Sequence, residues 1–104
     1  SRIREDAKIE LDKIVKVMNE NENIRIDLRA HTDSRGTRST NLNLSIKRAA
    51  VSEAYIKSRI SNPERVTSEG FGEAELVNKC KDGVSCSEEE HQQNRRTEFI
   101  ILEL

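Results

Sequence analysis

From Ile24 to Ala30 the chain alternates strictly: Ile24, Ile26, Leu28 and Ala30 are apolar, and Arg25, Asp27 and Arg29 between them are charged. Successive side chains of a strand point to opposite faces, so this segment is a strand with one face in a core and the other toward water. A parallel sheet covered on both faces reads instead as a continuous apolar run. The chain is therefore predicted to be α/β (α+β), a two-layer sandwich with a β-sheet and helices on one of its faces. Its 104 residues suffice for one core and not for two, so residues 1–104 are read as a single domain.

Ile3, Ala7, Leu11, Ile14, Val15 and Met18 recur at steps of three and four and predict an amphipathic helix over about 5–19. The polar stretch Asn19 to Asn23 interrupts it. Thr32 to Thr40 has almost no apolar content and carries Gly36 at its centre, so it is read as a loop. Leu44, Ala50, Val51, Ala54 and Tyr55 mark a second helix that should end near Ser58 to Ile60, because Pro63 disfavours helix at the residue before it. Arg65 to Phe71 reads as a strand that stops in a turn at Gly70-Phe71-Gly72. Ser87 with Glu90 forms a capping box for a short helix of about 88–93. Thr97 to Leu104 reads as a last strand, and its run Phe99-Ile100-Ile101-Leu102, apolar on both faces, suits an inner position.

Composition excludes several functions. The aromatics are Phe71, Phe99 and Tyr55 alone, and 18 basic residues against 19 acidic leave a net charge of -1. Neither stacking platforms nor a basic footprint for nucleic acid is present. No stretch approaches the roughly 20 apolar residues of a bilayer span, so no membrane contact by this domain is expected. Because the sequence starts at Ser1 without Met or an export signal, it is expected to be a C-terminal piece of a longer protein, with any anchor upstream.

The polar loop carries the chemistry. His31-Thr32-Asp33-Ser34-Arg35-Gly36 is followed by Asn41, by Leu44-Ser45 and Arg48-Ala49, by Gly70-Phe71-Gly72, and finally by Asn94-Arg95-Arg96. This ordered set resembles the OmpA-like peptidoglycan-binding domains, and the resemblance runs from Ala7 nearly to the end of the chain. It implies a mixed sheet flanked by helices on one side. It also implies non-covalent binding of the diaminopimelate-containing peptide stem of peptidoglycan, at the periplasmic face of the outer membrane, without catalysis, cofactor or metal. Asp33 and Arg48 occupy the positions that grip the amine and carboxylate of diaminopimelate, with His31, Thr32, Asn41, Leu44, Arg95 and Arg96 around them. A zwitterionic head group needs one anionic and one cationic partner, and an arginine can meet a carboxylate with two parallel hydrogen bonds. With Arg48 read as a turn or so into its helix, the exposed amides of the helix N-terminus would add affinity for the ligand's anionic group.

Two departures from the family pattern carry consequences. Ala30 stands where the family has glycine. No strand fits before Ile3, so the opening strand of the family sheet is absent, and Thr97 to Leu104, its expected neighbour, becomes a sheet edge. Such an edge is expected to pair with a second copy, with the chain's own N-terminal residues, or with a strand from outside it.

Cys80 and Cys86 bracket Asp82-Gly83 at a turn and are placed for a local disulfide, which persists in an oxidising space such as the periplasm. Far along the chain from Asp33, it is expected to matter little to the binding loop. Other readings are weaker. Asp33 could be an Asx-turn residue, Arg48 a solvated helix residue, Asn94 a helix C-cap, and Arg95 and Arg96 merely the start of a strand. A hydrolase built on His31 lacks a nucleophile elbow, and zinc held by Cys80, Cys86 and His91 lacks a fourth ligand. A periplasmic assembly domain without wall binding is the remaining alternative.

Overall fold

A computed structural model describes residues 3–103 as α1 (Glu5–Glu20), β1 (Arg25–His31), α2 (Arg38–Lys57), a 3-10 turn (Pro63–Arg65), β2 (Val66–Gly72), α3 (Glu88–Asn94) and β3 (Arg96–Glu103). The expected end of the last strand at Leu104 lies outside the described residues. The alternating segment forms the central strand of a sheet ordered β2-β1-β3. It runs parallel to β2 and antiparallel to β3, which makes the sheet mixed. Ile26, Leu28 and Ala30 are buried in one cluster with Leu11 and Met18 of α1, Ala49 and Ile56 of α2, and Val66 of β2. The helices thus cover the face that the alternation marks as apolar.

The opposite face is less wet than its charges suggest. Asp27 accepts from Arg29 at 2.9 Å and from Thr67 at 2.8 Å, and the Arg29 guanidinium lies 5.8 Å from the centroid of Phe71. Asp27 and His31 are buried beneath this layer of polar and aromatic side chains. The buried Asp27 carboxylate is partnered, which burial requires.

The structure corrects four of the readings above. First, α2 starts at Arg38, inside the segment read as loop. Thr37 caps it, its side chain accepting the Thr40 amide at 3.1 Å. Periodicity is silent there because the first turn holds no apolar residue, and the cap decides the start. Second, Arg65 ends the 3-10 turn and does not begin the strand. Its buried guanidinium donates to the carbonyls of Met18, Asn21 and Ile24, satisfying acceptors at the end of α1.

Third, Gly70-Phe71-Gly72 is no turn. β2 continues through it with a bulge, because Ala30 pairs with Gly70 and His31 with Gly72. A Cβ on Gly70 would lie 2.3 Å from the backbone nitrogen of Ile46, and one on Gly72 2.9 Å from that of Leu42. The glycines are there to let the backbone of α2 lie directly on the strand. Fourth, its apolar run does not make β3 an inner strand; it is the sheet edge that is the other expectation for it, since among the described residues it pairs with β1 alone, and Ile101 and Leu102 are each 53% exposed. No strand precedes α1 among those residues.

Candidate functional site

The loop leaving β1 is held from every side. His31 is buried, stacked on Phe71 with ring centroids 5.3 Å apart, and its Nε2 lies 2.9 Å from the Glu98 carboxylate. Burial alone would raise the Glu98 pKa, but His31 and Arg96 hold it below the ordinary value. Thr32 donates its amide to Gly72 and its hydroxyl to the Asp33 carbonyl, both at 2.9 Å. Both side chains are thus engaged in holding the loop. His31, Glu98 and Glu75 bring three donor atoms within 4.8 Å of one another, but Arg96 already occupies Glu98.

Asp33 closes an Asx turn, its Oδ1 accepting the Arg35 amide at 3.0 Å. Its Oδ2 accepts from Arg35 Nη2 at 2.8 Å and from Arg95 Nη1 at 2.6 Å. Burial would raise this carboxyl, and the hydrogen bonds from Arg35 and Arg95 overcome it, lowering the pKa from 3.8 to about 2. Arg35 and Arg95 also share Glu88, so α3 is tied to the loop. Asn41 is buried and donates to the carbonyls of Asp33 and Arg35 and to Glu73. Burial and the neighbouring Asp82 push Glu73 above its ordinary pKa.

The disulfide expected between Cys80 and Cys86 is present. Its remoteness from Asp33 in sequence does not hold in space. The Ser34 hydroxyl donates to the Cys80 carbonyl, and Asp82 within the disulfide loop lies 3.7 Å from Arg38 at the start of α2. Both cysteine sulfurs are spent on this bond, so neither is free as a zinc thiolate. Asn94 is fully buried and structural. It accepts the Val77 amide at 2.8 Å and donates to Asn78, fastening the segment before the disulfide to α3.

Arg48 is exposed and sits in the middle of α2, beyond reach of the N-terminal amides. It lines a cleft of about 650 Å³ together with Leu44, Arg95, Arg96 and, from α1, Asp6 and Glu10. Asp33 is not on the cleft wall. The two poles are linked through Arg95, which lines the cleft and holds Asp33. Sequence reasoning missed Arg35, Glu88 and the Ser34 to Cys80 tie. Only the first left a signal, since an arginine two residues after the loop aspartate is within reach of an Asx turn.

The family model described as the OmpA family matches residues 1–90. The chain is 34% identical over 99 residues to a peptidoglycan-associated lipoprotein of Rhizobium meliloti, covering 95% of this chain and 53% of that protein. It is likewise 34% identical over 103 residues to the photosystem I P700 chlorophyll a apoprotein A2 of Gloeobacter violaceus, covering 97% of this chain but 12% of that protein. The fold matches the crystal structure of the peptidoglycan-associated lipoprotein from Burkholderia pseudomallei with a TM-score of 0.80 at 20% identity, over 95% of this chain and 80% of that one.

Proposed function

Since the chain belongs to the OmpA family, we propose that it binds peptidoglycan without covalent chemistry and helps to hold the outer membrane to the cell wall from the periplasmic side. The chain spans about half the length of the lipoproteins it matches (53%), whose names associate them with peptidoglycan. The observation that carries the reading is the cleft itself: Arg48, Arg95 and Arg96 line it, and the buried Asp33 carboxylate lies one residue behind its wall. Among candidate wall components, the diaminopimelate side chain of the peptide stem presents an ammonium and a carboxylate on one carbon. The arginines suit the carboxylate and Asp33 suits the amine. A disulfide in the loop beside the site accords with an oxidising compartment. No helix among the described residues is long and apolar enough to cross a membrane.

Calorimetric titration with a diaminopimelate-containing stem peptide tests the proposal. Saturable binding without turnover supports it, turnover reinstates the hydrolase, and no heat favours the assembly domain. The open edge of β3, with Ile101 and Leu102 exposed, is proposed as the place where a second copy adds a strand. Sedimentation equilibrium showing a monomer at high concentration would remove that part alone.

A further inference from the structure

Asp33 is the anionic pole of the proposed site, yet its Oδ2 is already held by two arginines. Oδ1 accepts the Arg35 amide, and Oδ2 accepts Arg35 Nη2, Arg35 Nε and Arg95 Nη1 at 2.8, 3.2 and 2.6 Å. A carboxylate offers about four lone-pair sites. Three of the four bonds fall on Oδ2, more than the roughly two lone-pair sites of one oxygen, so a ligand ammonium that reaches Oδ2 has to replace a member of this set.

The two arginines differ as leaving groups. Arg35 holds Asp33 through its own backbone amide as well as its side chain, so its departure would open the loop. Arg95 holds Asp33 through a single N–H, while its Nη2 already contacts Glu88 and Gln92 at 2.5 Å each. Arg95 lines the cleft and Asp33 does not, so a cation entering the cleft meets Arg95 first.

Resting on the peptidoglycan reading above, we propose that Arg95 is a built-in stand-in for the ligand's ammonium group and sets the selectivity of the site. In the free protein it occupies Asp33. As ligand binds, it gives the carboxylate up to the incoming ammonium and stays on Glu88 and Gln92. One cation replaces another, so the buried Asp33 is at no point unpaired. The exchange filters ligands. An ammonium that carries a carboxylate beside it can pair that carboxylate with the released Arg95 and with Arg48, whereas a plain amine displaces an arginine and gains no such contact. Occupancy of Asp33 by Arg95 also lowers the apparent affinity for every amine by the fraction of time the pole is free.

The test follows the amide shifts of residues 32–36 by NMR while the folded chain is titrated with two probes, the stem peptide and 1,5-diaminopentane. Arg95→Gln is expected to bind the plain diamine roughly tenfold more tightly than the unmodified chain, while its affinity for the peptide rises less, so discrimination between the two falls. Arg95→Lys, which keeps a cation, should reject the diamine as the unmodified chain does. Glu88→Gln, at an exposed position, removes one resting place of the displaced arginine and should weaken the peptide about threefold. A diamine no tighter on Arg95→Gln overturns the stand-in role, as does a peptide unaffected by Glu88→Gln. If the unmodified chain ignores the peptide, the peptidoglycan reading fails, and the diamine titration still decides the role of Arg95 by itself.

Discussion

The two poles of the cleft are built in opposite ways. Asp33 sits in a loop with almost no freedom: its side chain is 9% exposed, two arginines hold it, and a disulfide loop and α3 brace the segment around it. Arg48 stands exposed in the middle of α2, with no hydrogen-bond or ion-pair partner among the described residues. The first pole is preorganised, and binding there is an exchange of cations. The second must be ordered by its ligand, at a cost of about 1 kcal/mol in rotamer freedom. The contrast implies that changes at the loop pole alter stability and binding together, whereas changes to Arg48 alter binding alone.

The largest effect should come from the backbone contact that carries the helix pole. Gly70→Ala places a Cβ 2.3 Å from the nitrogen of Ile46, a backbone atom that cannot rotate away. Loss of about 3 kcal/mol is expected by urea denaturation, with loss of sacculus binding as α2 and Arg48 move off the sheet. A change below about 1 kcal/mol would show that the helix pole does not depend on that contact.

Next comes Asp33→Ala, expected to abolish binding to sacculi and to lower stability by about 2 kcal/mol. The same group gives a pH signature. Its folded pKa of about 2 lies below the ordinary 3.8, so its contribution is complete above pH 3.8 and is lost as pH falls toward 2. Acid titration of Asp33→Asn should therefore show a shallower loss between pH 4 and pH 2 than the unmodified chain, by about 2 kcal/mol. An identical acid limb would mean that the arginines do not hold this carboxyl.

Removing the disulfide by Cys80→Ser with Cys86→Ser is expected to cost at most about 2 kcal/mol. Because Ser34 donates to the Cys80 carbonyl, amide exchange at residues 33–36 should quicken and the affinity for sacculi should fall. Unchanged exchange there would restore the disulfide to the role of a remote staple. The smallest effect on stability belongs to Arg48→Ala, within about 0.5 kcal/mol, although its binding should be lost as fully as that of Asp33→Ala. A marked drop in melting temperature for Arg48→Ala would erase the distinction between the poles.

Much of this arrangement was legible in the residues. The alternation of β1, the periodicity of α1 and the capping box of α3 each follow from neighbours a few positions apart, and local geometry determines them. So does the pairing of Cys80 with Cys86, six residues apart. Two of the errors share a cause. Whether Gly70-Phe71-Gly72 bends or continues depends on the approach of α2, and whether β3 is inner or edge depends on which strands are present to pair with it. Neither is a property of the segment itself.

The site divides along the same line. The sequence by itself determined which residues are available: an Asx-turn aspartate after a strand, an arginine on the next helix, two arginines at the start of the last strand. Only the tertiary structure decided their partners. Asp33 and Arg95 are 62 positions apart and Ser34 and Cys80 are 46 apart, yet each pair is in hydrogen-bond contact. Charges and hydroxyls can pair with many groups of suitable chemistry. What selects among them is distance and burial, which exist only once the sheet has brought the β1 loop, α3 and the disulfide loop together.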